Sequence, residues 1–217
     1  MKNTMALEML LDNRVEELKA LLADEIYKDS LSRCGNAKKR YAAMKKFFKY
    51  VSNKNAVCQY PCKGVEINGD TYNSFTDGCC FVLTKESIGE MEEYDEAEHG
   101  KYIRMDAMVR LNDYPSVETV DVGSVVARAK SDGYKYKKSE FGGDFKYAFT
   151  YKDAVYKLSL LDKTFSIIDD GEAAKVYYRD RVSLLLIETS VGIAGIMPFR
   201  CTDDSKIEKV YMDEAVV

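Results

Sequence analysis

Tryptophan is absent from this chain, histidine occurs once and proline three times. The single histidine, His99, sits in the acidic stretch 85–99 (KESIGEMEEYDEAEH), which reads as an exposed loop or a poor helix. It has no visible nucleophile or metal partner, so no acid–base constellation can be assembled around it. Few prolines and only 13 glycines argue against a low-complexity chain. Also missing is any run of about 18 uncharged apolar residues, the length a membrane-spanning helix needs. The first residues, MKNTMALEMLLDNRVEELK, carry acids inside their apolar part and do not read as a secretory signal. A cytoplasmic chain with its six cysteines reduced is expected. No phosphate-binding loop of the Walker kind occurs, and the GG and SDG stretches read as turns.

What is present suffices for a well-packed core. The 217 residues are 46% hydrophobic and 12% aromatic, with 16 tyrosines, enough for one generous domain or two small ones. The net charge of −4 excludes a uniformly basic nucleic-acid binder and leaves room for a local basic face.

Residues 4–28 read as a helix, with Met5, Met9, Val15, Leu18, Leu22 and Ile26 at helical spacing. A break at SRCGN precedes a second helix, Ala37 to Val51. VCQYPCKGVEING, DTYNSFTDGCCFVLTK and KYIRMDAMVRLND are β-rich, with NGD as a turn between the first two. Val122 to Lys130 reads as a short helix, Phe145–Phe149 as a strand and Tyr151–Lys163 as a helix. TFSIIDD, AAKVYYRD and RVSLLLIE paired with VGIAGIMPF read as the closing strands. Helix followed by strands thus occurs twice, at 37–84 and 150–199, an order that fits one α+β architecture with two related halves.

Cys58, Cys62, Cys79 and Cys80 fall on neighbouring predicted strands. Four thiolates suit zinc, but the paired Cys-x-x-Cys knuckles are missing, and adjacent cysteines on a strand point to opposite faces. They read as buried thiols, and no metal or cofactor is expected. The carboxylates of 90–98 lack the ligand spacing and turn glycine of a calcium loop. Asp169 and Asp170, before Gly171, read as turn residues.

The segment AKKRYAAMKKFFKYV stands apart. It carries six bases and no acid, which leaves −10 on the other residues. At roughly 100° per residue, Lys38, Lys39, Lys45, Lys46 and Lys49 share an arc of about 120°. Tyr41, Met44, Phe47, Phe48 and Val51 cover much of the other side, and Arg40 lies off the basic arc. Solvated helix faces ordinarily mix signs. A face of one sign on an acidic body suits a polyanion bound through its backbone, without sequence readout. A membrane surface is the competing polyanion, less suited to an acidic body.

FTYKDAVYKLSLLDKTFSIIDDGEAAKVYYRDRVSLLLIETSVGIAGIMPFR resembles the closing part of the bacterial DNA sliding clamp, the beta subunit of the replicative polymerase. In that family the last strand ends in a Met-Pro-x-Arg stretch, the place taken here by Met197, Pro198, Phe199 and Arg200. Upstream, AAMKKFFKYV, CKGVEING and TYNSFTDGCCFVLT are similar to an earlier clamp half, with Thr76, Asp77 and Gly78 as the Thr-Asp-Gly strand end. YPSVETV is similar to the aromatic-proline segment that closes a clamp domain. The resemblance covers roughly 37–84 and 143–200. Cys79 and Cys80 stand where that family has bulky and basic residues, and the chain runs on past Arg200.

The resemblance implies an α+β, DNA-clamp-like fold of two helix-plus-antiparallel-sheet halves. The boundaries are an N-terminal helical extension at 1–35, a clamp-like domain at 36–204 with halves of about 37–120 and 121–204, and a C-terminal tail at 205–217. It implies duplex DNA met by Lys38, Lys39, Lys45, Lys46 and Lys49, and a homo-oligomer, since a ring needs several copies. It also implies a peptide-docking cleft at Thr76, Asp77, Gly78, Met197, Pro198, Phe199 and Arg200 for a polymerase or another replication protein. No catalytic residue is expected. The alternative is a clamp-fold interaction or regulatory protein that forms no ring and does not bind DNA.

Overall fold

The computed structural model describes residues 35–52, 60–86, 91–95, 108–132, 147–199 and 208–217, with Arg14, Val15, Leu18, Leu22, Ile88 and Ala97 as single positions. Among the described residues the chain is mixed α+β, with two sheets. The basic segment forms α1, Gly35–Val51. Ala37, Tyr41, Met44, Phe47 and Val51 recur three or four residues apart and are all buried. They pack over β1 (Tyr60–Ile67) and β2 (Asp70–Thr76). Asn68 and Gly69 join these strands with φ of 54° and 87°, the mirror-image turn whose twist matches that of paired strands.

β3 (Cys80–Thr84) completes the first unit, and a two-residue strand, β4 (Glu92–Glu93), lies outside β1. β5 (Ser116–Val120) leads into α2 (Val122–Ser131), whose first turn is capped by Asp121 accepting from the Ser124 amide. A hairpin of β6 (Tyr147–Tyr151) and β7 (Ala154–Lys157) then feeds α3 (Leu158–Ile168). β8 (Ala174–Tyr178), β9 (Leu185–Glu188) and β10 (Gly192–Ile196) follow, and β11 (Glu208–Tyr211) comes last.

The larger sheet has the order β4-β1-β2-β3-β10-β9-β8-β5 and is antiparallel except between β4 and β1. Its centre is the β3–β10 pair, where Val82 lies opposite Ala194. On each side of that seam stand three successive antiparallel strands preceded by a helix: α1 before β1, β2 and β3, and α3 before β8, β9 and β10. α1 and α3 pack against each other and run antiparallel. Arg40, near the start of α1, donates to the Asp169 carbonyl past the end of α3, whereas Phe47 and Tyr50, near the other end, meet Lys163. α2 packs on the far side of α3, so the helical layer reads α1–α3–α2.

One apolar cluster joins these helices to Phe75, Val82, Val176, Ile187 and Ala194. A second, on the opposite face, holds Cys62, Val65, Phe81, Leu83, Leu186 and Ile193 under Val109, Leu111 and Tyr114. Both faces of the central strands are therefore covered. That accounts for CFVLT and GIAGI being apolar or small at almost every position, where a one-sided sheet would alternate. The smaller sheet, β11-β6-β7, packs its Phe149, Tyr156 and Val210 into the first cluster.

Several expectations are corrected. The helix expected at Tyr151–Lys163 starts only at Leu158, and TFSIIDD, expected as a strand, falls mostly within it. Tyr147–Tyr151 pairs with Ala154–Lys157 as a hairpin about a Lys152–Asp153 turn, and in the second strand Ala154 and Tyr156 are buried while Val155 and Lys157 are half-buried, the strand period. Leu158, Leu160, Leu161, Phe165, Ile167 and Ile168 are buried around most of α3, which overrides the β-preference of its aromatic and β-branched end. The strand expected at Phe145–Phe149 begins at Tyr147 among the described residues.

The acidic stretch 85–99 is not simply an exposed loop, because Ile88 and Met91 are buried in the helix-side core and Glu92–Glu93 pair with β1. Residues 208–217, set apart in the sequence as a tail, pair in parallel with β6 and bury Met212. Of the helix expected at 4–28, only Arg14, Val15, Leu18 and Leu22 are described, and the Leu18 amide donates to the Arg14 carbonyl. Cys58 and His99 lie outside the described residues. Among the described residues no helix is long and apolar enough to cross a membrane.

Candidate functional site

Helical periodicity sends the bases of α1 in two directions. Lys38, Lys39, Lys45, Lys46 and Lys49 are all exposed. Arg40 turns inward, with one guanidinium nitrogen 2.7 Å from Glu86 Oε1 and the other donating to the Asp169 carbonyl at 3.1 Å. It thereby fastens the start of α1 to the end of β3 and to the carbonyl end of α3, where a helix favours positive charge. Lys38, Lys39 and Lys49 meet no carboxylate among the described residues, and Lys45 Nζ stands 4.4 Å over the Tyr41 ring. Arg40, Phe47 and Tyr50 mark the side of α1 that touches α3. At roughly 100° per residue, Lys39 and Lys46 then lie on the side away from the sheet. Lys38, Lys45 and Lys49 lie on the shoulder away from α3.

The rest of the helical layer is neutralised internally. Lys130 on α2 meets Asp162 on α3 at 2.8 Å, and Arg128 meets Glu214 at 2.6 Å. Lys163, the one base of α3, is turned inward onto Asp77. The exposed lysines of the layer that meet no carboxylate among the described residues, Lys38, Lys39 and Lys49, therefore belong to α1.

The second candidate is the meeting point of the Thr-Asp-Gly and Met-Pro-Phe stretches, which the fold places side by side. Cys80 pairs with Ile196, and the Met197 amide donates to the Cys79 carbonyl at 2.9 Å. Two residues on, the Phe199 amide donates to the Val155 carbonyl of β7 at 3.0 Å. Met197–Phe199 thus carries the chain from the large sheet to the edge of the small one. Proline, which has no amide to donate, stands between the two bonds. Met197 is 42% exposed, Pro198 and Phe199 are half-buried, and Gly78 and Cys79 are exposed. Arg200 lies outside the described residues.

Thr76 and Asp77 are buried, and their side chains hold the rim from within. The Thr76 hydroxyl donates to the Cys80 carbonyl and accepts from the Gly78 amide. One Asp77 oxygen accepts from the amides of Cys79 and Cys80, both at 2.9 Å, and from the Cys80 thiol. Its other oxygen takes the Lys163 ammonium. The Lys163 side chain is 10% exposed and that of Asp77 1%. The ammonium also lies 4.5 Å from the Phe47 ring centre and 5.3 Å from that of Tyr50. Burial works against the charge on Lys163, but the Asp77 carboxylate bonded to it outweighs burial and raises its pKa above the ordinary lysine value. Burial keeps the Cys80 thiol protonated, well above its usual range.

Lys163 and Asp162 escape a reading that starts the helix at Tyr151. The available signal is the Asp-Lys pair inside LSLLDKTFSII, two charges in an otherwise uncharged helix that has to bury most of its surface. Cys62 and Cys80 fall in the two opposite core clusters, and Cys79 is exposed between strands. Asp169 and Asp170 accept from the amides of Gly171 and Glu172, the turn role expected of them. Comparison with protein-family models, curated proteins and solved structures finds no match.

Proposed function

We propose that this chain is a DNA-clamp-like docking protein. It holds duplex DNA without reading its sequence, through Lys38, Lys39, Lys45, Lys46 and Lys49 of α1, and it assembles from several copies. A short peptide of a DNA polymerase or another replication protein docks at the rim formed by Gly78, Met197, Pro198 and Phe199. The reading assigns no catalytic step and no cofactor.

The observation that carries it is the acid-free, exposed lysine face of α1 on a protein of net charge −4, set beside α2 and α3, whose bases Arg128, Lys130 and Lys163 are each ion-paired. Phosphate backbones reward such a face by counterion release, independent of sequence. The two helix-plus-three-strand units about the β3–β10 seam and the contact between the Thr-Asp-Gly and Met-Pro-Phe stretches support it further.

The test is binding to circular or end-blocked duplex DNA over a salt series. Replacing Lys38, Lys45 and Lys49 together by alanine should flatten the slope of log affinity against log salt by up to about 3, since each phosphate contact contributes roughly 0.9. An unchanged slope would remove α1 as the DNA face. Light scattering with and without DNA reads the assembly. A second reading, an interaction protein of the same fold that does not bind DNA, draws on the placement of Lys38, Lys45 and Lys49 on the shoulder of the layer, away from α3. Peptide binding without any retention on DNA selects it.

A further inference from the structure

Ser159, Asp162, Lys163 and Ser166 are the half-buried residues of α3, and every other residue of that helix is buried. Lys163 is committed to Asp77 on the α1 side. On the α2 side Asp162 accepts from Lys130 Nζ at 2.8 Å, and neither side chain has another partner among the described residues. The pair is asymmetric: the Asp162 side chain is 13% exposed and that of Lys130 52%. Asp162 is fixed by the helix, while Lys130 is a long chain drawn down onto it. α3 stands between α2 and α1, with helices packed side by side about 8–10 Å apart, so the Asp162–Lys130 pair lies one helix over from the lysine helix. Asp162 is the one carboxylate of the middle helix of the layer.

We infer that Asp162 sets the boundary of the polyanion footprint: by occupying Lys130, it confines phosphate contact to α1. This rests on the proposed DNA-binding role and goes beyond it, because it names a residue outside the lysine face that decides how many phosphates are met. Without Asp162, Lys130 becomes an unpaired cation in the same helical layer as the α1 lysines, and a duplex lying across α3 gains a contact.

The experiment measures binding of a 30-base-pair duplex of mixed sequence, and retention on a closed circular duplex, across a salt series. The proteins are the parent, D162N, K130A and the double variant D162N/K130A. D162N should bind more tightly and steepen the salt slope by about 0.9, one added phosphate. The double variant should return to the parental slope, because the cation that supplies the contact is gone. K130A alone should bind more weakly, since it leaves Asp162 facing the DNA. Equal slopes and affinities for parent and D162N overturn the inference while leaving the DNA-binding reading intact. No binding by any of the four overturns both. Binding by D162N but not by the parent upholds the boundary role and removes DNA binding from the parent's function. Thermal melting of each variant separates these outcomes from loss of folding, and among the described residues only Lys130 is bonded to the Asp162 side chain.

Discussion

Lys163 of the second helix-and-strand unit and Asp77 of the first form a buried ion pair across the seam of the large sheet, closed off by the rings of Phe47 and Tyr50. Removing one partner of such a pair strands the other charge away from water and costs about 3–5 kcal/mol. Asp77→Asn and Lys163→Met should each destabilise by that order in urea unfolding. The double variant should be more stable than the sum of the singles implies, because no lone charge remains. A loss under about 1 kcal/mol in either single would mean that the pair is solvated in solution.

A second prediction concerns alkaline pH. Burial, with Glu92 nearby, pushes the Cys62 thiol up to about 12 from an ordinary 9.0. The folded value lies above the unfolded one, so the stabilisation is complete below pH 9 and is lost as pH rises toward 12. Cys62→Ala should therefore melt with a shallower pH dependence than the parent between pH 8.5 and 10.5. The difference should approach about 1.4 kcal/mol per pH unit at most. Parallel curves would contradict it.

Two alanine substitutions at glycines should differ in cause and size. A β-carbon on Gly192 would stand 2.1 Å from the Leu83 carbonyl oxygen, a backbone atom of the facing strand at one end of the seam. Gly192→Ala should cost about 3 kcal/mol, at the upper end of overpacking effects. Gly69 has open space around it but φ of +87°, so Gly69→Ala should cost about 1–2 kcal/mol through backbone strain alone. Chemical denaturation ranks the two, and the reverse order would mean that the seam can spread.

The rim makes a prediction for peptide binding. Met197 is the exposed member and Phe199 the half-buried one, tied to β7 through its amide. With a fluorescein-labelled peptide of the kind that sliding clamps bind, Met197→Ala and Phe199→Ala should each weaken affinity at least tenfold. The Phe199 amide bond to Val155 survives both changes, so the rim keeps its backbone. Unchanged affinity in both variants would place the docking site elsewhere.

The basic helix was the most legible part of the sequence, because its period and its charge are both local. Tyr41, Met44, Phe47 and Val51 are buried and the five lysines are exposed, as a helical wheel of that segment has it. The Asn68–Gly69 turn and the β9–β10 pair were equally readable. The stretch 147–168 was not. Its hairpin turn is Lys152–Asp153, a dipeptide without glycine, with Lys152 at φ 53°. Its helix is buried on most sides and so shows little polar period. The ion pair of Lys163 with Asp77 joins residues far apart in the chain and leaves no mark in either local pattern. The proximity of Met197 to Cys79 leaves no mark in either stretch, since the sheet order alone brings those strand ends together.

The seam has a consequence for the birth of the protein. β3 has one edge on β2 and the other on β10, and these two partners reach it at very different times. When CFVLT leaves the ribosome its β2 edge is satisfied at once, but the strand that covers its other edge is encoded about a hundred residues later. At roughly 5–20 residues per second, that edge waits on the order of 5–20 s with apolar side chains on both faces. α1, already made, can shield one face during the interval, whereas Leu186 and Ile193 of the opposite core are still to come. Nascent chains halted between residues 84 and 192 should therefore be the species that chaperones hold and that aggregates recruit, and completion of β10 should be the moment the chain becomes safe to release.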